Sequence, residues 1–275
     1  MRYLLFLTLT ISSLLSNGQT AASSKTFADE LFASKSYQNA LEVYSRVLYF
    51  DTAQIFAPEI YPKIAYAYYQ TEQYAQANAF YDLAYNFTNN QETKNEYLLK
   101  KISGYLLLQQ NDYAEIDFLS IDSSYLLPHH IQEKTFFEAV LTFSKGDYDK
   151  SKSAFMKLTQ DSAAVERLFL KNKKVSKISP KRAKNMSRIV PGLGQLYVGD
   201  VKNGLNSMLL TGGLFALGVR GAIVNNFLDA SFAVGPWLQR YYKGGYTKAE
   251  SIAKAKILEK RFKIYNQLLD TLPAQ

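Results

Sequence analysis

The feature that most constrains this chain is a spacing. Tyr37, Tyr74, Tyr113 and Tyr148 recur at intervals of 37, 39 and 35 residues. The neighbours recur too. Ser36-Tyr37-Gln38-Asn39-Ala40 aligns with Gln73-Tyr74-Ala75-Gln76-Ala77, and an aspartate precedes both Tyr113 and Tyr148. A period in the mid-thirties over residues 26–161 predicts helical hairpins that stack side by side, because one hairpin cannot bury its apolar face alone.

Within each period an alanine is expected three residues after the tyrosine and an aromatic four residues after that. The first repeat gives Tyr37, Ala40 and Tyr44, then Leu48; the second gives Tyr74, Ala77 and Tyr81, then Ala84. The fourth gives Gly146-Asp147-Tyr148, Ser151 and Phe155. In the third, Gly104, Leu107 and Tyr113 fit, but Ile116 stands where a small residue is expected, so its second helix should be short or distorted. The small residue lets two helices approach closely, and the aromatics fill the space between hairpins. Asp51-Thr52, Asn89-Asn90 and Asp122-Ser123-Ser124 mark breaks between helices. This pattern resembles the tetratricopeptide repeat. The resemblance implies an all-α, TPR-like helical-hairpin solenoid of about four hairpins over residues 19–161, and a groove that binds a protein or peptide segment.

Composition removes several kinds of chemistry. The chain has no cysteine, which excludes disulfides, thiolate catalysis and cysteine zinc sites. Its two histidines, His129 and His130, follow Pro128 and read as the start of a helix rather than as metal ligands. The G-x-S-x-G pattern is absent, and no acid pair or nucleophile–base set stands out. The sequence therefore points to no enzyme activity, cofactor or small-molecule substrate.

The opening MRYLLFLTLTISSLLSNG has an early charge at Arg2, an apolar core from Tyr3 to Leu15, and small residues Ser16 and Gly18 before a cut at Gln19. This is the pattern of a secretory signal peptide over residues 1–18, and it predicts export to the periplasm or cell envelope. The apolar core is short for a stable span of about 20 residues, and no cysteine at the cut offers a lipid attachment point.

Charge divides the chain. Residues 1–161 hold 13 Lys/Arg against 18 Asp/Glu, whereas residues 162–275 hold 19 against 6. The excess of base is densest in a predicted linker over residues 162–190, where Lys171, Lys173, Lys174, Lys177, Lys181, Arg182, Lys184 and Arg188 occur with no acid from residue 171 to residue 188. Nucleic-acid binding pairs such clusters with stacking aromatics or a recognition fold, and residues 171–188 contain no aromatic. An apolar segment follows at once, so the expected contact is an anionic membrane surface.

Between these stretches lies RIVPGLGQLYVGDVKNG, Arg188 to Gly204. A phosphate-cradling reading fails on two patterns. Gly194 and Gly199 have P-loop spacing but are followed by Asp200-Val201 instead of Lys-Ser/Thr, and Tyr197 stands where the third glycine of G-x-G-x-x-G belongs. Beyond the loop, LNSMLLTGGLFALGV and GAIVNNFLDASFAVGPWLQ form two apolar segments joined near Arg220, Asn225 and Asn226. Gly212, Gly213, Gly218 and Gly221 would let the two helices approach closely in lipid, and Trp237, Tyr241 and Tyr242 lie where an interfacial belt would be. Pro191, Gly192, Gly194, Gln195, Tyr197, Gly199 and Gly204 together resemble the opening of small bacterial two-helix membrane domains of the TM2 type and related Bacteroidota families. The resemblance implies a hydrophobic hairpin over residues 191–246. Its glycines would permit a tight turn at the membrane surface, with Gln195 and Tyr197 meeting backbone groups or headgroups there. Residues 247–275 read as a separate basic amphipathic helix.

Two readings follow. In the first, an exported adaptor binds a protein partner through its repeats and is held at the envelope membrane by its C-terminal part. In the second, the protein is a soluble periplasmic binding module whose C-terminal helices complete the solenoid.

Overall fold

The structure, a computed structural model, describes residues 20–273. The segment read as a signal peptide lies outside the described residues. Among the described residues there are thirteen α-helices, one short 3₁₀ turn and no strand. The chain divides into two compact units, the first ending at Leu158 and the second beginning at Thr159.

The first unit is a helical-hairpin solenoid. Its helices are α1 (Ala21–Ala33), α2 (Tyr37–Phe50), α3 (Ala57–Gln70), α4 (Tyr74–Phe87), α5 (Gln91–Leu107), α6 (Asn111–Leu119), α7 (Pro128–Lys145) and α8 (Tyr148–Leu158). Each packs against the next in sequence. The four hairpin turns are built alike. Lys35, Glu72, Gln109 and Gly146 all have left-handed backbones, with φ of 61°, 60°, 58° and 86°. At each, the next residue's N–H reaches back to a carbonyl five residues earlier: Ser36 to Leu31, Gln73 to Tyr68, Gln110 to Tyr105 and Asp147 to Thr142. This is the Schellman closure, which satisfies the last carbonyls of the first helix. Three of the four turn residues are not glycine, and each pays roughly 1 kcal/mol for the left-handed conformation.

These turns fall at uniform intervals of 37 residues, and that corrects the third repeat. The position held by Tyr37, Tyr74 and Tyr148 is held there by Asn111, the first residue of α6. The small residue is Ala114, fully buried like Ala40, Ala77 and Ser151. The aromatic equivalent to Tyr44, Tyr81 and Phe155 is Phe118, which is partly buried against the core cluster that contains Leu98, Leu99 and Ile102. Tyr113 is displaced by two residues from the expected role. It is 58% exposed and stacks on Tyr105 with ring centroids 5.5 Å apart. Ile116 likewise faces solvent. The repeat is regular in sequence, but its second helix has only 9 residues against 14 in α2 and α4.

Polar groups lock particular hairpins. The Asp29 carboxylate accepts from the Tyr44 hydroxyl at 2.6 Å and from Lys25 and Lys63 at 2.8 Å each, joining α1, α2 and α3. Buried Lys101 pairs with Asp82 and Asp117 and so ties α5 to both neighbours. Asn95 is fully buried; it donates to the Asp122 carbonyl and accepts from the Asp122 N–H, which fixes the loop after α6. Asp51 accepts from the N–H groups of Ile55, Phe56 and Ala57 and so organises the entry to α3. Pro128 opens α7, as expected, and His130 is buried in its first turn.

The second unit holds α9 (Ser162–Ser176), α10 (Pro180–Ile189), α11 (Leu193–Tyr197), α12 (Val201–Val224) and α13 (Phe227–Leu269). At 43 residues and 1.5 Å per residue, α13 is about 65 Å long. Its C-terminal half is the spine against which α9 and α10 pack, through Val165, Leu168, Ala183, Ala249, Ala253 and Leu268. The Thr159 hydroxyl donates to the Thr271 carbonyl and pins the start of the unit to its end.

Two expectations change here. The basic stretch is not a linker. Pro180 opens α10 at the position where its missing N–H costs nothing, under a Ser179 cap. The second apolar segment and the basic C-terminal segment are likewise one continuous helix, with Pro236 inside it.

Candidate functional site

The glycine motif is where α10, α11, α12 and α13 meet. Gly192 begins α11 with φ +89°, and a Cβ there would lie 2.2 Å from the Gly204 carbonyl oxygen. A Cβ on Gly204 would in turn lie 2.7 Å from Leu196. Gly194 presses on α10, where a Cβ would come within 1.9 Å of the Ala183 carbonyl oxygen. Its N–H donates to the Ser187 hydroxyl at 2.8 Å. Gly199, at φ +86°, turns the chain into α12 with open space around it, and Asp200 caps that helix by accepting from the Asn203 N–H.

Gln195 is fully buried at this junction. Its carbonyl oxygen accepts from the Ser187 hydroxyl at 2.8 Å, and its amide donates to the Gly245 carbonyl at 2.9 Å. Tyr197 donates to the Lys177 carbonyl and accepts from the Ser179 N–H, each at 3.4 Å. Neither side chain is spare for a headgroup. The motif is an interior clasp that joins four helices through glycine contacts and one buried amide. Pro191, half-buried on its flank, and the exposed Gly199 border open space.

The clasp sets the base of an antiparallel hairpin. From it α12 runs out for 24 residues, turns at Asn225–Asn226, and returns as the first half of α13. Asn226 caps α13 and holds Asp229. The helices come closest where Gly221 meets Ala230, since a Cβ there would lie 3.2 Å from the Ala230 Cβ. At Gly218 a Cβ would make only ordinary contact with Val234, and Gly212 and Gly213 have open space, so one of the four expected close-approach glycines serves that purpose.

The outer surface of the hairpin is apolar and bare. Leu209, Phe215, Ile223, Val224, Phe227 and Phe232 are each 62–81% exposed. Among the described residues α12 is the one helix long and apolar enough to cross a membrane, and only 6% of its most apolar window is buried. Leaving so many large apolar side chains in water forgoes about 1.5–3 kcal/mol each, and contiguous exposed patches of this kind mark interaction surfaces. An apolar cleft of about 610 Å³ opens between the helices beside Pro191, Gly212, Phe215, Leu238 and Tyr242.

The cations gather at the base. Lys171, Lys173, Lys174, Lys177, Lys181, Arg182 and Arg188 are exposed on α9 and α10. Arg182 lies over the Tyr197 ring and Arg188 over the Tyr246 ring, at 5.5 and 4.9 Å. Lys184 differs from the rest: it is half-buried and pairs with Glu250 at 2.7 Å. Trp237 is half-exposed, while the Tyr242 hydroxyl donates to the Arg188 carbonyl at 2.6 Å.

Among the described residues no group of His, Asp and Glu could hold a metal ion. A Ser-x-x-Lys spacing occurs at Ser251 and Lys254. The Ser251 hydroxyl donates to helix carbonyls and Lys254 pairs with Glu250 on an exposed face, so no nucleophile–base pair forms. Comparison with known proteins finds no family model, no curated protein and no solved structure that matches this chain.

Proposed function

We propose that this protein is an exported, non-enzymatic adaptor. Its C-terminal hairpin enters the envelope membrane, and its repeat unit binds a protein or peptide partner. One observation carries the reading: α12 and the first half of α13 keep their large apolar side chains exposed, and both return to a clasp beside a cationic surface. At 1.5 Å per residue α12 is about 36 Å long, enough to cross a hydrocarbon layer of about 30 Å. The polar tip of Asn225, Asn226 and Asp229 would then reach the far headgroups. Because the hairpin doubles back, both flanks stay on one side, where each lysine or arginine near an anionic surface adds about 1 kcal/mol. For the repeat unit the support is its tetratricopeptide-like pattern, since stacked hairpins of this kind present an extended groove. A role in envelope biogenesis would fit that architecture.

The test is fractionation of cells expressing the full chain or a chain ending at Leu158. Membranes are washed with high salt and then at alkaline pH. Insertion predicts that only the full chain resists both washes. Release by salt would reduce the contact to the lysine surface. A full chain found soluble throughout would favour the second reading, a periplasmic binding module with no membrane contact.

A further inference from the structure

A second cleft between α12 and α13, near the base of the hairpin, has a lining that the packing of two apolar helices does not require. Asn203, Asn206, Ser207 and Thr211 recur along α12 at the spacing of one helix face. Across from them α13 presents Arg240, Gly244, Gly245 and Lys248. The space enclosed is about 340 Å³. Gly244 leaves open room, and Gly245 brings the helices together, since a Cβ there would lie 2.8 Å from the Ser207 hydroxyl oxygen.

Two groups in this cleft have no partner. Thr211 is only 5% exposed, and its hydroxyl makes no hydrogen bond. The Ser207 hydroxyl is buried and unbonded as well. Serine and threonine inside a helix ordinarily bond back to a carbonyl one turn earlier, as Ser231 and Thr247 do in α13. A buried hydroxyl left unpaired costs about 1–3 kcal/mol, so two of them in one cleft call for an acceptor from outside. The two cations set its sign. Arg240 and Lys248 are exposed at the mouth, and among the described residues neither makes an ion pair within 4 Å. Asp200 feels the charge of Lys248 but is itself engaged by the Asn203 backbone and amide at 3.1 and 2.8 Å.

We infer that this cleft is a binding site for a phosphate group. Two hydroxyls and the Asn206 amide would donate to its oxygens from the wall. The guanidinium of Arg240 would grip two oxygens as a fork, and Lys248 would add a point charge. The same chemistry accepts a lipid headgroup phosphate or a free phosphate. Trp237 and Tyr241 flank this level of the hairpin, as interfacial aromatics would beside headgroups. The inference goes beyond the membrane reading and does not depend on it.

The test uses the full chain purified in phosphate-free neutral detergent. One arm titrates inorganic phosphate and follows it by phosphorus NMR. The other measures retention of phosphatidylglycerol against phosphatidylcholine by native mass spectrometry. Arg240→Gln with Lys248→Gln should weaken binding at least about tenfold. Thr211→Val, which removes an unpaired hydroxyl and should keep the fold, should weaken it several-fold. Lys260→Gln, an exposed cation of α13 outside the cleft, should leave it unchanged. Saturable binding of phosphate that follows this pattern identifies a free phosphate. Binding of phosphatidylglycerol alone with the same pattern identifies a headgroup. If neither probe binds, or if both site variants bind as the wild type does, the cleft is a packing gap and the inference falls. Should the alkaline wash release the chain while the site variants still lose phosphate, insertion fails and the site stands.

Discussion

Gly192 and Gly204 stand backbone against backbone, so close that a single methyl group on Gly192 would overlap the Gly204 carbonyl oxygen at 2.2 Å. The atom in the way belongs to the first turn of α12 and cannot swing aside, and Gly192 also needs its left-handed φ of +89°. Gly192→Ala should therefore cost about 3 kcal/mol or more, the sum of backbone strain and a forced shift between α11 and α12. Gly199→Ala shares the left-handed backbone, at +86°, but meets open space. It should cost only about 1 kcal/mol. Thermal unfolding of the two variants measures the difference. Equal losses would mean that the close approach is not what selects glycine at 192.

The third repeat supplies a sharper contrast. Phe118 is partly buried and packs against the core cluster of α5 and α7, whereas Tyr113 is 58% exposed and touches one ring. Phe118→Ala should cost about 3 kcal/mol, while Tyr113→Ala should cost no more than about 1 kcal/mol, the worth of an aromatic pair at the surface. Chemical denaturation of the full chain, followed at its first transition, separates them.

That repeat also shows what the sequence could tell. Period, hairpin order and the tyrosine-alanine-aromatic triplet were legible in three repeats because the same side chains fill the same packing sites. In the third, Asn111 replaces the tyrosine, and a tyrosine two residues later draws the eye to the wrong register. The signal that fixes the register is the left-handed turn, and Lys35, Glu72 and Gln109 carry no glycine to announce it. In the second unit the apolar hairpin and its Asn225–Asn226 turn were legible from hydropathy. The role of Gln195 was not. A polar residue in a glycine loop suggests exposure, and only the tertiary fold brings Ser187 and the Gly245 carbonyl, 50 residues away, to its amide. The lysine-rich stretch read as a linker because its buried residues, Asn172, Val175, Ala183 and Ser187, are few and widely spaced among cations.

Asp29 predicts a pH dependence. Burial pushes its carboxyl upward, but hydrogen bonds from Lys25, Lys63 and Tyr44 outweigh that and hold the pKa at about 2. The unfolded value is about 3.9. Because the folded pKa is the lower one, the stabilisation is fully present above about pH 5 and is lost as pH falls through 4 toward 2. A shift of nearly two units corresponds to at most about 2.5 kcal/mol. With the side chain 30% exposed, solvent screening brings the expectation to about 1–2 kcal/mol. Asp29→Asn should lower stability at pH 7 and flatten the decline between pH 5 and 2. An unchanged slope would place the acid sensitivity elsewhere.

The basic surface divides into cations that serve the fold and cations free to act outside it. Lys184 is half-buried against Glu250, and its partner's carboxyl is held below its usual range by that hydrogen bond. Lys184→Gln should therefore reduce the stability of the second unit. Lys171, Lys173, Lys174, Lys177 and Lys181 are exposed, and replacing all five by glutamine should leave unfolding nearly unchanged. On an anionic surface each contributes about 1 kcal/mol at low ionic strength, so the five together should control how steeply vesicle binding rises with phosphatidylglycerol content and falls with salt. Co-sedimentation of the full chain with vesicles of graded composition reads both slopes. If the fivefold variant keeps the wild-type slopes, the cations do not face the lipid, and the attachment rests on the apolar hairpin alone.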